Sequence, residues 1–325
     1  MFGIGITTYN RIERLKETLE KIGRHTTQDY CLVVADDGSG DGTSKWCAKH
    51  QVPCVTGNNR GISWNKNRAL FALKALGCTE VVLLEDDCYP IESGWNEQWV
   101  RATRMWNHVA FAHDKIRAGI LSGTGTPEDP YVNNKSTAQC LSISRETLLK
   151  VGFFDTRFEG YGVEHAEWTT RIKRTGTGFQ KREITPGVIG KANLFINGGL
   201  RAEDAPSHKD RASVERNNVI FREIKEEPVF RNPYRNMSEK ALFHGEIFSF
   251  SHSNGWIFDP TSEKIFVDLG KHSTVMQAFK ERCQNQPGWH HPVEIGAALP
   301  TEGRRDLRTG FELAATKPVN SGPQT

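Results

Sequence analysis

The sequence has few cysteines, and none in a spacing that would build a metal or disulfide framework. The seven cysteines are an odd number, and no two of them form a Cys-x-x-Cys pair. Zinc ribbons and small disulfide-held secreted domains depend on such pairs. We therefore expect reduced thiols and a cytoplasmic location.

Long hydrophobic runs are also missing. The longest candidate is the short apolar segment at residues 81–84, whereas a bilayer requires about 20 apolar residues. Residues 2–8 have a strand-like pattern and lack the basic leader that opens a signal peptide. We expect no membrane span, which disfavours a processive polysaccharide synthase.

Net charge is small, since 42 basic residues against 39 acidic ones leave +3. This balance by itself does not indicate a polyanionic partner. The basic residues are unevenly placed, because residues 171–235 hold fourteen Lys or Arg and eight Asp or Glu. A solvated surface is the favoured interpretation of this stretch, and a site for phosphate or nucleic acid is the alternative.

What the sequence does contain is an alternation of short apolar runs and amphipathic stretches. Its 325 residues are 37% apolar and 25% charged, the composition of an ordinary folded protein. The predicted strands are 2–8, 31–35, 52–56 and 81–84, and the predicted helices are 11–23, one ending near 49, and 62–76. This order is typical of an α/β fold with a Rossmann-like, mostly parallel sheet flanked by helices.

The rest of the chain is less regular. Helices are predicted at 95–109, 145–151 and within 160–176, strands at 116–123 and 139–143, and an antiparallel meander at 246–250, 255–258 and 264–269. We therefore divide the chain into a main domain at 1–230, a small C-terminal extension with antiparallel strands at 231–300, and a flexible tail at 301–325.

Three adjacent acids, Glu85, Asp86 and Asp87, follow the buried run at residues 81–84. Ligands of open α/β sheets bind at the carboxyl ends of the strands. Because side chains alternate along an extended strand, Glu85 and Asp87 share a face and Asp86 points away. Carboxylate pairs suit Mg²⁺ or Mn²⁺. A divalent metal site is therefore predicted here, with a solvated strand end as the alternative.

A second acidic pair, Asp36 and Asp37, ends the strand at 31–35, at the same edge of the predicted sheet. In dinucleotide folds a carboxylate at such a position accepts hydrogen bonds from a ribose hydroxyl. The alternative is that an aspartate caps the glycine-rich turn that follows, and for one of the two we favour capping.

Taken in chain order, these segments resemble the family 2 glycosyltransferases of the GT-A fold. The similar segments are GIGITTYNR at 3–11, VADDGSGDGT at 34–43, NRGI at 59–62 with Asn67-Arg68, the acids at 85–87, and GFFD at 152–155 followed by GYGVEHAE at 160–167, with Arg171 and Gly176. Each motif is weak alone, but five in the correct order over roughly residues 2–200 are a strong signal.

The resemblance implies a nucleoside diphosphate sugar as donor, most often uridine-linked. Tyr9 and Asp37, or Asp36 in its place, would contact the base and ribose. The predicted nucleotide-binding set is Thr8, Tyr9, Arg11, Asp36, Asp37, Asn67 and Asp86.

The resemblance also implies a metal, Mn²⁺ or Mg²⁺, held by Asp87 with the assistance of Glu85. Glu85 departs from the family pattern, since it is one methylene longer than the usual Asp. His208 lies about where related enzymes place a histidine that completes the metal site, and imidazole is an acceptable ligand beside two carboxylates. A surface histidine is the alternative.

The predicted base of an inverting transfer is His165, which stands where the family usually has Asp. Histidine has an unperturbed pKa of about 6.5 and can accept a proton at physiological pH. Glu164 is the rival base, and we favour His165. Four tryptophans at helical spacing are predicted to be core residues, with sugar stacking as the alternative, namely Trp95, Trp99, Trp106 and Trp168.

Two other functions remain open at this point. A nucleotidyltransferase also places acids at such an edge, although residues 7–10 lack the glycine-rich phosphate loop it needs. A catalytically decayed sugar-binding module is the second alternative, because His165 replaces the family's base. The acceptor is not predicted and could be a glycan, a protein or a small molecule, with nucleic acid as a minority hypothesis.

Overall fold

The computed structural model describes residues 1–137, 139–176, 193–203 and 210–267, with Glu281 and two short pairs at 304–305 and 312–313. The helices are α1 Ile12–His25, α2 Thr43–Lys49, α3 Ile62–Ala75, α4 Trp95–Trp106, α5 Asp114–Arg117, α6 Arg145–Val151, α7 Glu164–Arg174, α8 Arg211–Ile224 and α9 Met237–Ser253. The strands are β1 Phe2–Thr8, β2 Tyr30–Asp36, β3 Cys54–Thr56, β4 Glu80–Glu85, β5 Cys88–Pro90, β6 His108–Phe111, β7 Ile120–Ser122, β8 Tyr131–Asn133, β9 Cys140–Ser144, β10 Asn193–Ile196, β11 Leu200–Ala202, β12 Ile257–Asp259, β13 Lys264–Phe266, β14 Arg304–Arg305 and β15 Glu312–Leu313.

Nine strands of the described chain form one sheet, in the order β3-β2-β1-β4-β9-β6-β10-β8-β7. The first four strands are mutually parallel. Strand β9 runs antiparallel to β4 and β6, and β8 runs antiparallel to β10 and β7, so the other seven strands share one direction. The predicted α/β fold with a mostly parallel sheet is confirmed.

Helices cover both faces of this sheet. Leu15, Leu19 and Ile22 of α1 are buried at helical spacing in the hydrophobic cluster on one face. On the other face α3 lies very close to β1, because a Cβ on Gly5 would stand 3.0 Å from Ala69 Cβ and 3.3 Å from Leu73 Cδ1 of α3. Glycine at that position therefore sets the distance between helix and sheet.

The tryptophans belong to the core, as predicted. Three of them lie in the cluster beneath α1 and α4, and Trp168 lies in the cluster beneath α3. Trp168 stacks on Phe154 with ring centroids 4.5 Å apart. No helix in the described ranges is long and apolar enough to cross a membrane.

The prediction of a strand at residues 246–250 is wrong, because this segment lies inside α9. Phe243, Ile247 and Phe250 recur at helical spacing and enter the cluster beneath α3, while Phe248 between them is 59% exposed. The two later strands do form an antiparallel hairpin, β12 and β13. The boundary predicted at residue 230 stays a prediction, and the tail from 301 lies almost entirely outside the described residues.

Two further predictions need correction. The strand predicted at 116–123 is the short helix α5 followed by β7. The helix predicted at 95–109 ends at Trp106, because Asn107 has a φ of 62° and the chain then enters β6. Helix α8, which was not predicted, begins after Asp210, whose carboxylate accepts hydrogen bonds from the first turn.

Candidate active site

The carboxyl ends of β1, β2 and β4 meet at one edge of the sheet. The parallel register places Thr8 beside Asp36 and Thr7 beside Glu85. The chain leaves β4 through Asp86 and Asp87. Predicted nucleotide and metal residues that are far apart in sequence therefore share the edge where open α/β sheets bind ligands.

Asp86 is buried, with 3% of its surface exposed. Its Oδ2 accepts a hydrogen bond from Thr8 Oγ1 at 2.7 Å, and its Oδ1 accepts one from Arg11 Nη1 at 3.1 Å. Burial raises the pKa of Asp86 to about 6, although Thr8 and Arg11 favour the ionised form. Asp86 thus joins the end of β4 to the loop after β1, and the structure brings Thr8, Arg11 and Asp86 together.

The raised pKa of Asp86 has a consequence for stability. Below pH 3.8 the carboxyl is protonated in both the folded and the unfolded chain, and between pH 3.8 and about 6 the folded chain binds more protons. The contribution of Asp86 to the free energy of unfolding therefore falls as pH rises through this window, by up to about 3 kcal/mol. We expect the stability of Asp86→Asn, relative to that of the native protein, to be higher at pH 7.5 than at pH 4.5.

Urea unfolding of both proteins at the two pH values measures this difference. The contributions of carboxyls that do not contact Asp86 or its partners cancel in the comparison, whereas that of Asp87, which shares Arg11 with Asp86, is part of the measured difference. The difference in free energy of unfolding, Asp86→Asn minus native, should be larger at pH 7.5 than at pH 4.5. A smaller difference at pH 7.5 would contradict the raised pKa of Asp86.

Asp87 carries a buried oxygen that has no hydrogen-bond partner among the described residues. Its Oδ2 lies 3.2 Å from Arg11 Nη1, whereas Oδ1 is buried and has no hydrogen-bond partner in the described structure. Burial raises the pKa of Asp87, and Arg11 opposes this effect. An unpartnered buried carboxylate oxygen is costly unless a ligand satisfies it, and a hard cation suits it.

The described residues do not complete a metal site. Within them no group of three or more His, Cys, Asp or Glu side chains is arranged to hold a metal ion. His208, the predicted third ligand, lies outside the described residues. The residues that fit a divalent cation are Asp87 through Oδ1 and, from the same strand end, Glu85.

Asp36 and Asp37 hold the loops at the edge of the sheet. Asp36 accepts hydrogen bonds from Ser39 and, at 2.9 Å, from Thr56 Oγ1. Asp37 accepts them from the backbone N–H groups of Arg60, at 3.0 Å, and Gly61, at 2.9 Å. Asp36 therefore caps the glycine-rich turn, as favoured for one of the two aspartates, whereas Asp37 holds the separate loop at residues 60–61.

Tyr9 lies at the tip of the loop after β1 and is 47% exposed. The next residue, Asn10, has a φ of 52°. Its backbone N–H donates to Ser39 Oγ at 2.8 Å, and its Oδ1 accepts from the N–H of Gly40 at 2.7 Å. The two loops are therefore tied together, and the aromatic face of Tyr9 is left open to a ligand.

Arg68 is fully buried, and its structural role was not predicted from the sequence. Its guanidinium donates to Asp37 Oδ1 at 2.9 Å and to both carboxylate oxygens of Glu246, at 2.8 and 2.9 Å. Trp64 Nε1 also donates to Glu246, at 3.0 Å. Helix α9 is thereby fastened to the loop that Asp37 organises. The sequence contains no local signal for a contact over 178 residues.

Lys66 is the second buried cation that was missed. Its Nζ donates to Glu164 Oε1 at 3.3 Å and lies 3.5 Å from Glu85 Oε1. Burial lowers the pKa of Lys66, but Glu164 and Glu85 outweigh it and raise the value. Lys66 therefore joins the end of β4 to the beginning of α7, and the acidic edge and the predicted base belong to one site.

Glu164 opens α7 and is buried. Burial would raise the pKa of Glu164, but Lys66 and His165 lower it to about 2. The helix begins after Val163, whose φ of 80° is rare for a β-branched residue and marks local strain. The carboxylate is thus held ionised at the start of a tightly constrained helix.

His165 lies beside Glu164, with Nδ1 3.5 Å from Glu164 Oε1. Both ring nitrogens are buried, and neither has a hydrogen-bond partner in the described structure. Because Nε2 accepts no hydrogen bond from the described residues, it is available to take a proton from a bound hydroxyl. The structure therefore brings His165 and Glu164 together with Glu85 around Lys66.

Asn67 does not face this site. Its Nδ2 donates to the carbonyl of Phe154 at 2.9 Å, and its Oδ1 accepts from the N–H of Phe154 at 2.8 Å. Arg171 and Glu167 likewise form an internal pair, with Nε and Oε1 2.7 Å apart. Arg171 also donates to the carbonyl of Phe153 at 2.6 Å. These motif residues make contacts within the fold that hold α3, α6 and α7 together, and they do not contribute directly to the site.

Several solved structures are similar to the chain. GalNAc-T7, solved with UDP, GalNAc and Mn²⁺, is 14% identical over 69% of this chain and 48% of its own, with a TM-score of 0.49. The mannosyltransferase PcManGT from Pyrobaculum calidifontis, in complex with GDP-Man and Mn²⁺, is 17% identical over 87% of this chain and 85% of its own, with a TM-score of 0.46. S. aureus TarS 1–349 in complex with UDP is 11% identical over 87% of this chain and 71% of its own, with a TM-score of 0.42. The chain therefore spans about half the length of GalNAc-T7.

No curated protein matches the sequence. A family model does match, namely Glycosyl transferase family 2, over residues 4–114. This segment runs from β1 to the beginning of α5 and includes the whole acidic edge from Asp36 to Asp87. The match confirms the predicted resemblance to the family 2 glycosyltransferases over these residues.

Proposed function

We propose that this protein moves a sugar from a nucleoside diphosphate sugar, with UDP-sugars favoured, to an acceptor hydroxyl by an inverting, metal-dependent reaction. The observation that carries the proposal is the position of Lys66 between Glu85 and Glu164, at 3.5 and 3.3 Å. Lys66 links the carboxyl end of β4, where a metal and diphosphate would bind, with Glu164 and the neighbouring His165, which would activate an acceptor hydroxyl. The two chemical requirements of glycosyl transfer thus fall within one charged cluster.

The metal would be Mn²⁺ or Mg²⁺, bound by Asp87 and assisted by Glu85. The unpartnered Oδ1 of Asp87 supports this assignment. Burial raises the pKa of Glu85, and the negative charge of Asp87 raises it further against the opposing effect of Lys66. This repulsion between the two carboxylates supports the assignment, because a cation beside them would relieve it. Such a cation would neutralise charge on the departing diphosphate. His208 stays a predicted third ligand.

The nucleotide would lie over the loops after β1 and β2. In this proposal Tyr9 offers its exposed ring to the base, and the turn held by Asp36 and Asp37 faces the ribose. Thr8, Arg11 and Asp86 hold the loop after β1 in place. Asn67 is left out of the proposed nucleotide contacts because its amide is fully engaged by Phe154.

The base would be His165, with Glu164 orienting it. A general base works best when its pKa is near the working pH, and a carboxylate whose pKa lies at about 2 is a weak base. Glu164 is also engaged by Lys66. Because Nδ1 of His165 is the ring nitrogen near Glu164, Nε2 is the atom we assign to the acceptor proton. The deprotonated oxygen then attacks the anomeric carbon as the nucleoside diphosphate leaves.

The basic stretch at residues 171–235 gives no support to a nucleic-acid acceptor. Arg171 is buried, and Arg174 donates to the carbonyls of Lys225 and Glu227, at 2.6 and 2.9 Å. Arg231 and Arg235 pair with acids. These four side chains therefore contact other parts of the chain, although Arg174 and Arg235 are exposed, and four further basic residues of the stretch lie outside the described residues.

A panel of nucleotide sugars tests the proposal without knowledge of the acceptor. We expect slow hydrolysis in the presence of Mn²⁺, with nucleoside diphosphate and free sugar released in equal amounts and UDP-sugars turned over fastest. The anomeric configuration of the released sugar, followed by NMR, should be inverted.

The products also distinguish the alternatives. Release of a nucleoside monophosphate or pyrophosphate would indicate a nucleotidyltransferase. Tight donor binding without any product would indicate a sugar-binding module, and either outcome would overturn the proposed function.

A further inference from the structure

Gln139 lies directly before β9 and carries a buried side-chain oxygen. Its Oε1 has no hydrogen-bond partner among the described residues, although the residue as a whole is partly exposed to solvent. A buried amide oxygen that is left unpaired is costly. A ligand that enters from the solvent side would satisfy it, and the sugar transfer proposed above assigns this residue no role.

The strand pairing places Gln139 beside the acidic end of β4. Strand β9 runs antiparallel to β4, with Cys140 opposite Leu84. One step further along, the backbone N–H of Glu85 donates to the carbonyl of Gln139 at 2.8 Å. Residues directly opposite each other in antiparallel strands project from the same face of the sheet, with Cβ atoms about 4.5–5.5 Å apart. The side chain of Gln139 therefore stands next to that of Glu85.

This face of the sheet is the one that carries the predicted base. Leu141 and Ile143 follow Gln139 at two-residue spacing and lie in the hydrophobic cluster beneath α3. Because side chains alternate along a strand, Gln139 projects towards the same side. Lys66 of α3 reaches Glu85 from this side at 3.5 Å. Gln139 thus borders the charged cluster that joins the metal edge to the start of α7.

The chemistry of an amide differs from that of the other unpaired groups at this site. Asp87 has an unpaired carboxylate oxygen, which suits a cation, and His165 has unpaired ring nitrogens, which suit a proton. A glutamine amide is uncharged, and it offers one oxygen acceptor and two N–H donors. Such a group suits a neutral hydroxyl. In the proposed reaction, the group that carries hydroxyls between the diphosphate and the base is the transferred sugar.

We propose that Gln139 is a specificity-determining residue that binds the transferred sugar, with Oε1 accepting a hydrogen bond from one sugar hydroxyl. The inference rests on the proposed function and deepens it by naming the class of donor. That class is a nucleotide sugar with a free hydroxyl at the ring position that faces Gln139. A donor that lacks this hydroxyl is disfavoured because it leaves Oε1 unpaired. The nucleoside diphosphate itself does not contact Gln139, so its affinity does not depend on this side chain.

The variant Gln139→Met tests this contact, because methionine keeps the length of the side chain and removes its polar atoms. The substrates are the UDP-sugar that the native protein hydrolyses fastest in Mn²⁺ and analogues that each lack one hydroxyl of its sugar. For the native protein we expect kcat/KM to fall about 10- to 100-fold with one of these analogues. Gln139→Met should lose a similar factor with the complete sugar and show no further loss with that analogue.

Two measurements separate a sugar contact from a structural role. Calorimetry in Mn²⁺ should show that Gln139→Met binds UDP with native affinity. Gln28 is exposed and lies before β2, away from the carboxyl ends of the strands, so Gln28→Met should behave as the native protein throughout. Weakened UDP binding by Gln139→Met, or a native dependence of this variant on every sugar hydroxyl, would overturn the inference alone. A native protein that hydrolyses no nucleotide sugar would overturn the proposed function, and the inference with it.

Discussion

Asp87→Ala should lower turnover of the nucleotide sugar by about 10³-fold, equivalent to roughly 4 kcal/mol of transition-state stabilisation. The substitution removes the carboxylate whose buried Oδ1 has no partner in the described structure. Glu85 is already paired with Lys66 and cannot take over that position. Initial rates of sugar nucleotide hydrolysis, measured with saturating Mn²⁺, give the loss.

Asp86→Asn is the matched control for this experiment, since it changes the adjacent carboxylate. Asp86 is satisfied by Thr8 and Arg11 and points into the protein, so this variant should keep most of the activity. Thermal unfolding of both variants verifies that the fold survives. Equal losses at the two positions, or full activity of the native enzyme in excess chelator, would exclude the metal assignment.

His165→Gln should lower kcat by about 10²- to 10⁴-fold and remove the acidic limb of the pH profile of kcat/KM. Glutamine keeps polarity at this position but cannot accept the acceptor proton. Glu164→Gln should reduce the rate and retain a limb, because it removes the orienting carboxylate and leaves the imidazole. Profiles of kcat/KM between pH 5 and 9 make the comparison.

His252→Gln provides the matched control, because His252 is an exposed histidine at the end of α9, outside the candidate site. It should have native activity and a native pH profile. If His165→Gln keeps near-native turnover while Glu164→Gln is inactive, Glu164 is the base and the assignment to His165 is wrong.

The first half of the fold was predictable from the sequence because its elements carry local signals. Strand β4 is a short buried apolar run, and α1 buries Leu15, Leu19 and Ile22 at helical spacing. Helix α9 was mistaken for a strand because Phe248 and other aromatic residues interrupt its periodicity. Its burial depends on α3, which lies far away in the chain.

The acidic edge was predictable for a topological reason. Parallel strands end at the same side of a sheet, so Asp36 and Glu85 had to lie near each other once their strands were identified. The basic side chains were not predictable in this way. The turn of α3 directs Lys66 to the site and Asn67 to Phe154, and a sequence pattern does not define the rotation of a helix that is buried on nearly all sides.

Calorimetric titration of the protein with UDP, with and without Mn²⁺, tests most directly the central claim that a metal at Asp87 holds the donor's diphosphate. The proposal predicts that Mn²⁺ tightens UDP binding by at least about tenfold, or 1.4 kcal/mol, and that Asp87→Ala loses this gain while Asp86→Asn keeps it. UDP binding of equal affinity in chelator and in Mn²⁺, or an Asp87→Ala variant with the full metal-dependent gain, would contradict the claim.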